Sequence, residues 1–337
     1  MRRTSPSTRS SFAAFTALLA FSVVACDPAD EPAPIRPRHH IVIVGESQDD
    51  ATWPVIRAIA VRVEAEHPTF KVTTDAPQTA SPQGQQRILE SLLDSDVNAV
   101  CVVPTDPNSV QPVLERLSSR GKHTAIVGRD LSNPEARRFY CGPSELEVGK
   151  MAGIACVRSL AGRPQTAMLL TSSKDDQAEL IRRRAFRDEL PAHGLVELLK
   201  EVRCDDSPID AVSAVRAEMR KYPRTGCWVF FNDAPLRVTA ADDRLLPLGC
   251  RLVLCDGNPR HLDRLRRGEI QALVTYDFFA AMMQAVTSAR HLVEDPMLQI
   301  EDTVYIETET ISVTELDWYE ERWENWKRGR PSPKLVN

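Results

Sequence analysis

From residue 41 onward the chain alternates short, continuous apolar runs with amphipathic stretches of helical spacing, and it does so in two successive series. The runs at 41–44, 70–73, 99–103 and 124–127 belong to the first series, with a short strand at 138–141. Those at 166–170, 196–202, 227–231, 252–255 and 270–274 belong to the second. Most are unbroken Val/Ile/Leu runs, which marks strands covered on both faces. The stretches between them read as helices over 53–66, 83–93, 109–119, 145–160, 177–190, 209–221, 235–245 and 278–293. In the first of these, Ile56, Ile59, Ala60 and Val63 share one face. Parallel neighbours need a crossover of about a helix's length, so the alternation predicts an α/β chain with two doubly wound parallel-sheet lobes. A length of 337 residues suits about two domains. In open sheets of this kind ligands sit beyond the carboxyl ends of the strands. The clearest single unit is 250–277, where one run stops at Asp256-Gly257 and the next at Tyr276-Asp277.

The first 25 residues are of another kind. Arg2, Arg3 and Arg9 precede a 13-residue apolar stretch at 12–24. That is shorter than the roughly 20 residues of a membrane span and has the layout of a secretory signal. It ends Val23-Val24-Ala25-Cys26, which resembles a bacterial lipobox, so Cys26 is the expected lipidation site and first mature residue. Removing 1–25 takes three positive charges from the formal −5 and leaves −8. An acidic chain of this kind argues against binding nucleic acid through its phosphates. Residues 26–40, rich in proline, read as a stiff tether. His39 and His40 have no third metal ligand nearby and read as a solvated pair. Seven further cysteines, an odd number with no CxxC, indicate neither a zinc ribbon nor a dithiol site. Cys227 and Cys250 each open a predicted strand, where a bridge between parallel neighbours would be geometrically awkward.

Catalytic signatures are mostly absent: the sequence has no P-loop, GxSxG or HExxH, Thr171-Ser172-Ser173-Lys174 comes near SxxK but has Thr in the serine place, and no nucleophile and base stand at a recognisable spacing. The strand ends instead collect Asp49-Asp50 with Trp53, Arg129-Asp130, Asn232-Asp233, Asp256 and Tyr276-Asp277. Carboxylates accept hydroxyl protons, a guanidinium donates a planar fork, and an aromatic ring covers the C–H face of a sugar. For Asp49, Asp50 and Asn232 capping of the following helix is an equally good reading.

The stretches VVPTDPNSVQPVLERLSSRGKHTAIVGRD, FYCGPSELEVGKMAGIACVRSL, VFFNDAPLRV and LCDGNPRHLDRLRRGEIQALVTYD follow one another in the order and spacing seen in one family. Over roughly 40–320 the chain resembles the periplasmic sugar-binding proteins of the ribose and galactose type, receptors of ABC importers. The resemblance implies the type I periplasmic binding protein fold, with a hinge of three crossings near 136–140, 275–278 and 302–306. It divides the chain into lobes at 41–138 with 277–304, and 139–276 with 305–330. It implies a ligand site made of Asp50, Trp53, Arg129, Arg182, Asn232, Asp256 and Tyr276, with Trp53 as the stacking ring and no metal or cofactor. The implied partners are a sugar or polyol and an ABC permease, for an exported, membrane-anchored monomer that is not an enzyme. A ligand-sensing ectodomain beside a chemoreceptor or sensor kinase is the alternative. Gly128 stands where the ribose type has Asp, and Tyr276 where Gln is common, so the pocket departs from a ribose pocket. Trp318, Trp323 and Trp326 near the end read as a helix packed along one lobe, or as a docking surface.

Overall fold

The computed structural model describes residues 38–161, 165–173, 177–194, 196–204, 207–239 and 243–333. The signal at 1–25, Cys26 and most of the tether lie outside the described residues. The first sheet has the order β11-β5-β4-β3-β1-β2. Its strands are β1 (His39–Val44), β2 (Phe70–Asp75), β3 (Ala99–Val102), β4 (His123–Val127), β5 (Phe139–Gly142) and β11 (Thr303–Tyr305). Helices α1 (Thr52–Glu66), α2 (Pro82–Ser91), α3 (Pro107–Ser119) and α9 (Phe278–Glu294) belong to the same lobe. The second sheet has the order β12-β10-β9-β8-β6-β7. Its strands are β6 (Gln165–Ser172), β7 (Val196–Cys204), β8 (Cys227–Phe230), β9 (Arg251–Leu254), β10 (Ala272–Tyr276) and β12 (Thr308–Ile311). With it go α4 (Glu145–Ser159), α5 (Gln177–Ala192), α6 (Pro208–Lys221), α7 (Ala234–Arg237) and α8 (Leu262–Arg266). A last helix, α10 (Leu316–Lys327), touches both α1 and α8. The pairings are parallel except for β12, which runs antiparallel to β10.

The continuous runs are buried as their composition requires: every residue of β3, β5 and β8 is buried. In α1 the predicted face is buried and Val55 joins it. Several helix starts are capped by side chains, Ser81 for α2, Asp106 for α3, Ser207 for α6 and Asp277 for α9, which satisfies backbone N–H groups otherwise left without partners.

Three elements differ from the sequence reading. First, β5 pairs with β4 and β11 and so stays in the first sheet. The first crossing therefore lies at Pro143-Ser144, between β5 and α4, and the lobe boundary falls after Gly142 rather than after 138. Second, Tyr305 closes β11 in the first sheet, and the third crossing is Ile306-Glu307. Third, the helix expected over 235–245 ends at Arg237. Leu245 and Leu246 are both buried, and adjacent residues cannot share one narrow helix face. His39 and His40 belong to β1 rather than to the tether, with His40 Nε2 2.8 Å from Thr73 Oγ1. The cysteines from Cys101 to Cys255 are free thiols, and Cys227 pairs across the ladder with Arg251, not Cys250.

Candidate ligand-binding cleft

Register brings the strand ends level. Val44 pairs with Val102 in β3, and Val102 with Ile126 in β4, so Glu46, Val103 and Gly128 stand along one edge. In the second sheet Phe230 pairs with Leu254 and Leu254 with Leu273, which aligns Asn232, Asp256 and Thr275. The two edges and the crossings enclose a cavity of about 310 Å³. From the first lobe it is lined by Glu46, Asp50, Thr52 and Arg129, among others. From the second come Arg182, Phe231, Asn232, Asp233, Arg237, Asp256 and Arg260. Tyr276, Phe278 and the α10 residues Tyr319, Trp323 and Trp326 complete it near the crossings.

Six of the seven sequence-predicted ligand residues thus come together. Trp53 is not among the lining residues. It sits partly buried in the first turn of α1, packed against the core, with its ring 3.3 Å from where a Cβ on Gly45 would lie. The aromatic surface comes instead from Phe231, Tyr276, Phe278 and α10.

The six are engaged in different ways. Asp50 Oδ1 accepts from the Thr52 backbone N–H at 2.9 Å and from its hydroxyl at 2.6 Å. Its Oδ2 reaches across the cleft, accepting from Asn258 Nδ2 at 3.0 Å and Arg260 Nη2 at 2.9 Å. Asp50 therefore joins the lobes. Arg182 donates from Nε to Glu145 at 2.6 Å and from Nη1 to the Phe231 carbonyl at 3.3 Å, with its guanidinium 5.5 Å over the Phe231 ring. Asn232 Oδ1 accepts from the Ala234 N–H at 3.1 Å, a local turn contact one residue before Asp233, which holds the cap position of α7. Asp256 Oδ1 accepts from the Asn258 N–H at 2.7 Å, and its Oδ2 lies 3.5 Å from His261 Nε2. Tyr276 is held protonated by burial, which drives its phenol far above the ordinary range. Arg129 projects into the cavity from the end of β4, while its neighbour Asp130 turns to a fork with Arg137, both bonds 2.6 Å.

Three charged residues of the cavity lie outside the sequence reading: Glu46, Arg237 and Arg260. Glu46 stands just past a strand end, the criterion that gathered the others, Asp233 among them. Arg237 and Arg260 are fixed by short turns whose geometry no periodicity reports. Asp233 accepts from Arg237 at 2.7 Å and lies 3.3 Å from the buried His261 Nε2. Burial works against its charge, but His261 and Arg237 pull its pKa below the ordinary range. His261 is correspondingly raised: burial opposes its charge and the Asp233 and Asp256 carboxylates more than offset that. Among the described residues, ligand atoms of Asp233, Asp256 and His261 lie within 4.8 Å of one another. Arg237 and Arg260 both pair with Asp233, whereas Asp256 keeps only the Asn258 N–H and the His261 nitrogen that it shares with Asp233. Glu46 is different. Burial first, then Asp50 and Asp256, push its carboxyl up to about 8, against the pull of Arg237.

Residues 41–296 match the family described as the periplasmic binding protein domain. The chain belongs to the periplasmic binding protein family. Solved structures similar to this periplasmic binding protein share its fold at low identity. A solute-binding protein from Burkholderia graminis, in complex with D-arabinose, superposes with a TM-score of 0.70 at 16% identity, covering 83% of this chain and 97% of that one. A glucose-galactose binding protein from Geobacillus stearothermophilus gives 0.70 at 18%, covering 82% and 98%. A solute-binding protein from Bacillus halodurans with bound myo-inositol gives 0.68 at 15%, covering 85% and 98%. Among curated proteins no sequence matches.

Proposed function

We propose that this protein captures a sugar or related polyol in its interlobe cleft and delivers it to an ABC-type permease. The observation that carries this is the 310 Å³ cavity, walled from both lobes by hydrogen-bonding groups and aromatic rings. That volume is at the small end of ligand pockets, about 300–1,000 Å³, and suits a single ring rather than an oligosaccharide. Related folds hold D-arabinose and myo-inositol. Arg129, Asn232 and Asp256 would supply hydrogen bonds, Tyr276 a phenol donor, and the Phe231 and α10 rings an apolar face. Arg182, tied to Glu145, would act mainly by holding the Phe231 strand end. Contacts from both walls form only when the lobes close, which is how a hinged pair of lobes responds to its ligand. The signal and Cys26 fit an exported lipoprotein tethered to a membrane near its permease. A ligand-sensing ectodomain would use the same cleft, and a co-purifying permease or receptor separates the two.

The test is a thermal-shift and calorimetric panel of pentoses, hexoses and polyols. A melting shift with at least one is expected, and Asp256→Ala should remove it. Absence of a shift with every carbohydrate would overturn the reading. Separately, a Cys26→Ala protein should leave the membrane fraction; if it stays there, lipidation is not the anchor.

A further inference from the structure

Nearly every charged side chain around the cavity is already matched. Arg182 is paired with Glu145, Arg237 with Asp233 and Arg260 with Asp50. Arg129 is also engaged within the protein. Asp50 is bonded through both oxygens, and Asp233 by Arg237 and His261. Two carboxylates are under-supplied. Asp256 has one backbone N–H and a His261 nitrogen it shares with Asp233. Glu46 lines the cavity from the end of β1 and, among the described residues, its carboxylate has no ion pair or side-chain hydrogen bond. These two stand on opposite walls of one cavity, Glu46 on the first lobe and Asp256 on the second.

We infer that the occupant of this cavity carries a protonated amine, held between Glu46 and Asp256, which narrows the ligand to an amino sugar or amino polyol. The inference rests on the reading of the cleft as a carbohydrate site. A hydroxyl can donate to a carboxylate but leaves its charge in place. An ammonium group supplies three donors and a full positive charge, and charge-assisted bonds are the stronger kind. One ammonium between two carboxylates answers both unmet demands at once. Burial first, then Asp50 and Asp256, push the Glu46 carboxyl up to about 8, so at pH 7 it holds a proton, and a bound ammonium would take that proton's place and relieve the same field. The existing arginines cannot take this part, because each is held by its own partner.

The experiment is isothermal titration at pH 7 with D-glucosamine, D-galactosamine and D-mannosamine, each beside its parent hexose. At least one amine is expected to bind about tenfold or more tighter than its parent. In a Glu46→Gln protein, nearly isosteric and checked for folding by its melting curve, the ratio of the two affinities should fall towards 1. Parent hexoses binding as well as or better than all three amines would overturn the inference and leave the carbohydrate reading standing. So would a preference that survives in Glu46→Gln. Binding of no hexose and no hexosamine, together with a blank carbohydrate panel, would overturn both.

Discussion

Gly128 and Tyr276 show how two departures from a family pattern can be one physical event. Gly128 sits at φ +91°, which L side chains rarely adopt, and a Cβ there would lie 2.8 Å from the Tyr276 hydroxyl. The phenol occupies the room a side chain at 128 would need, so the missing Asp and the added Tyr belong together. Gly128→Asp alone is expected to lose stability by about 1–3 kcal/mol from backbone strain, with a further loss from the clash. Adding Tyr276→Gln should recover the clash but not the strain, a positive coupling readable in a double-mutant cycle of urea melts. Strict additivity would mean the two side chains do not share that space. The same scale shows what the sequence could tell. Strand ends can be read from where apolar runs stop, which is why Arg129, Asn232, Asp256 and Tyr276 were found. Trp53 failed the same reasoning because its position, six residues past the turn at Glu46-Ser47, depends on the path of the β1–α1 turn. Glu46 satisfies the same criterion, standing two residues past the end of β1 at Val44, and is a site residue the strand-end reading did not include.

At the scale of elements, the hinge is organised by α10. Arg322 is 2% exposed, forms an ion pair with Asp277 at 3.1 Å, and donates to Glu309 and to Ser332, the latter at 3.1 Å. Its guanidinium lies 4.6 Å over Trp326 and 5.0 Å over Trp318. Asp277 opens α9 just past the second crossing, and Glu309 lies in β12 just past the third. One guanidinium thus ties two of the three crossings to the tryptophan-rich helix. Breaking a buried pair from one side costs about 3–5 kcal/mol when both partners are fully buried. Because Asp277 and Glu309 keep some exposure, Arg322→Met should cost on the order of 2–4 kcal/mol. Burial already raises the Glu309 pKa, with Arg322 opposing it. Without Arg322 that rise grows, and ionising Glu309 becomes more costly. The variant should therefore be less impaired near pH 5 than near pH 7 in guanidinium melts. An equal loss at both would place the cost in packing alone. The helix itself was legible from its composition, but the reading of it as packed along one lobe is corrected: it touches α1 of the first lobe and α8 of the second, and Trp323 and Trp326 line the cavity. Its contact with α1 as well as α8 was not legible, since periodicity identifies a buried face but not what covers it. For the same reason the first crossing was placed too early: β5 is a run of four residues whose sheet is decided by its partners β4 and β11.

For the whole molecule the question is what holds the lobes together in the absence of ligand. The bridge from Asp50 to Asn258 and Arg260 crosses the cleft, but the Arg260 side chain is 41% exposed. An ion pair of that exposure is worth about 0.2–1 kcal/mol, so Arg260→Ala should change the closed fraction by no more than about fivefold. Glu46 works the other way. Closure sets it against Asp256 and Asp233 of the opposite wall, with Asp50 on its own lobe and Arg237 the opposing cation. Opening the cleft to water is expected to return it to the ordinary carboxylate range, about 4.3; in this structure it is pushed up to about 8. Below the ordinary range both forms hold the proton and closure is independent of pH. Between there and about 8 the closed form binds a proton that the open form lacks. Closure is then disfavoured by up to about tenfold for each unit of rising pH, and the effect levels off above. The ligand-free protein should therefore scatter X-rays as a more compact particle at pH 6 than at pH 9. Glu46→Gln should be compact at both, and Arg260→Ala should keep the wild-type dependence on pH. A radius of gyration unchanged from pH 6 to pH 9 in the wild type, or a change that persists in Glu46→Gln, would mean that another group, or none, governs closure. A bound amine would take the place of that proton, so at saturating amine the particle should stay compact at pH 9 as well, as long as the amine keeps its charge.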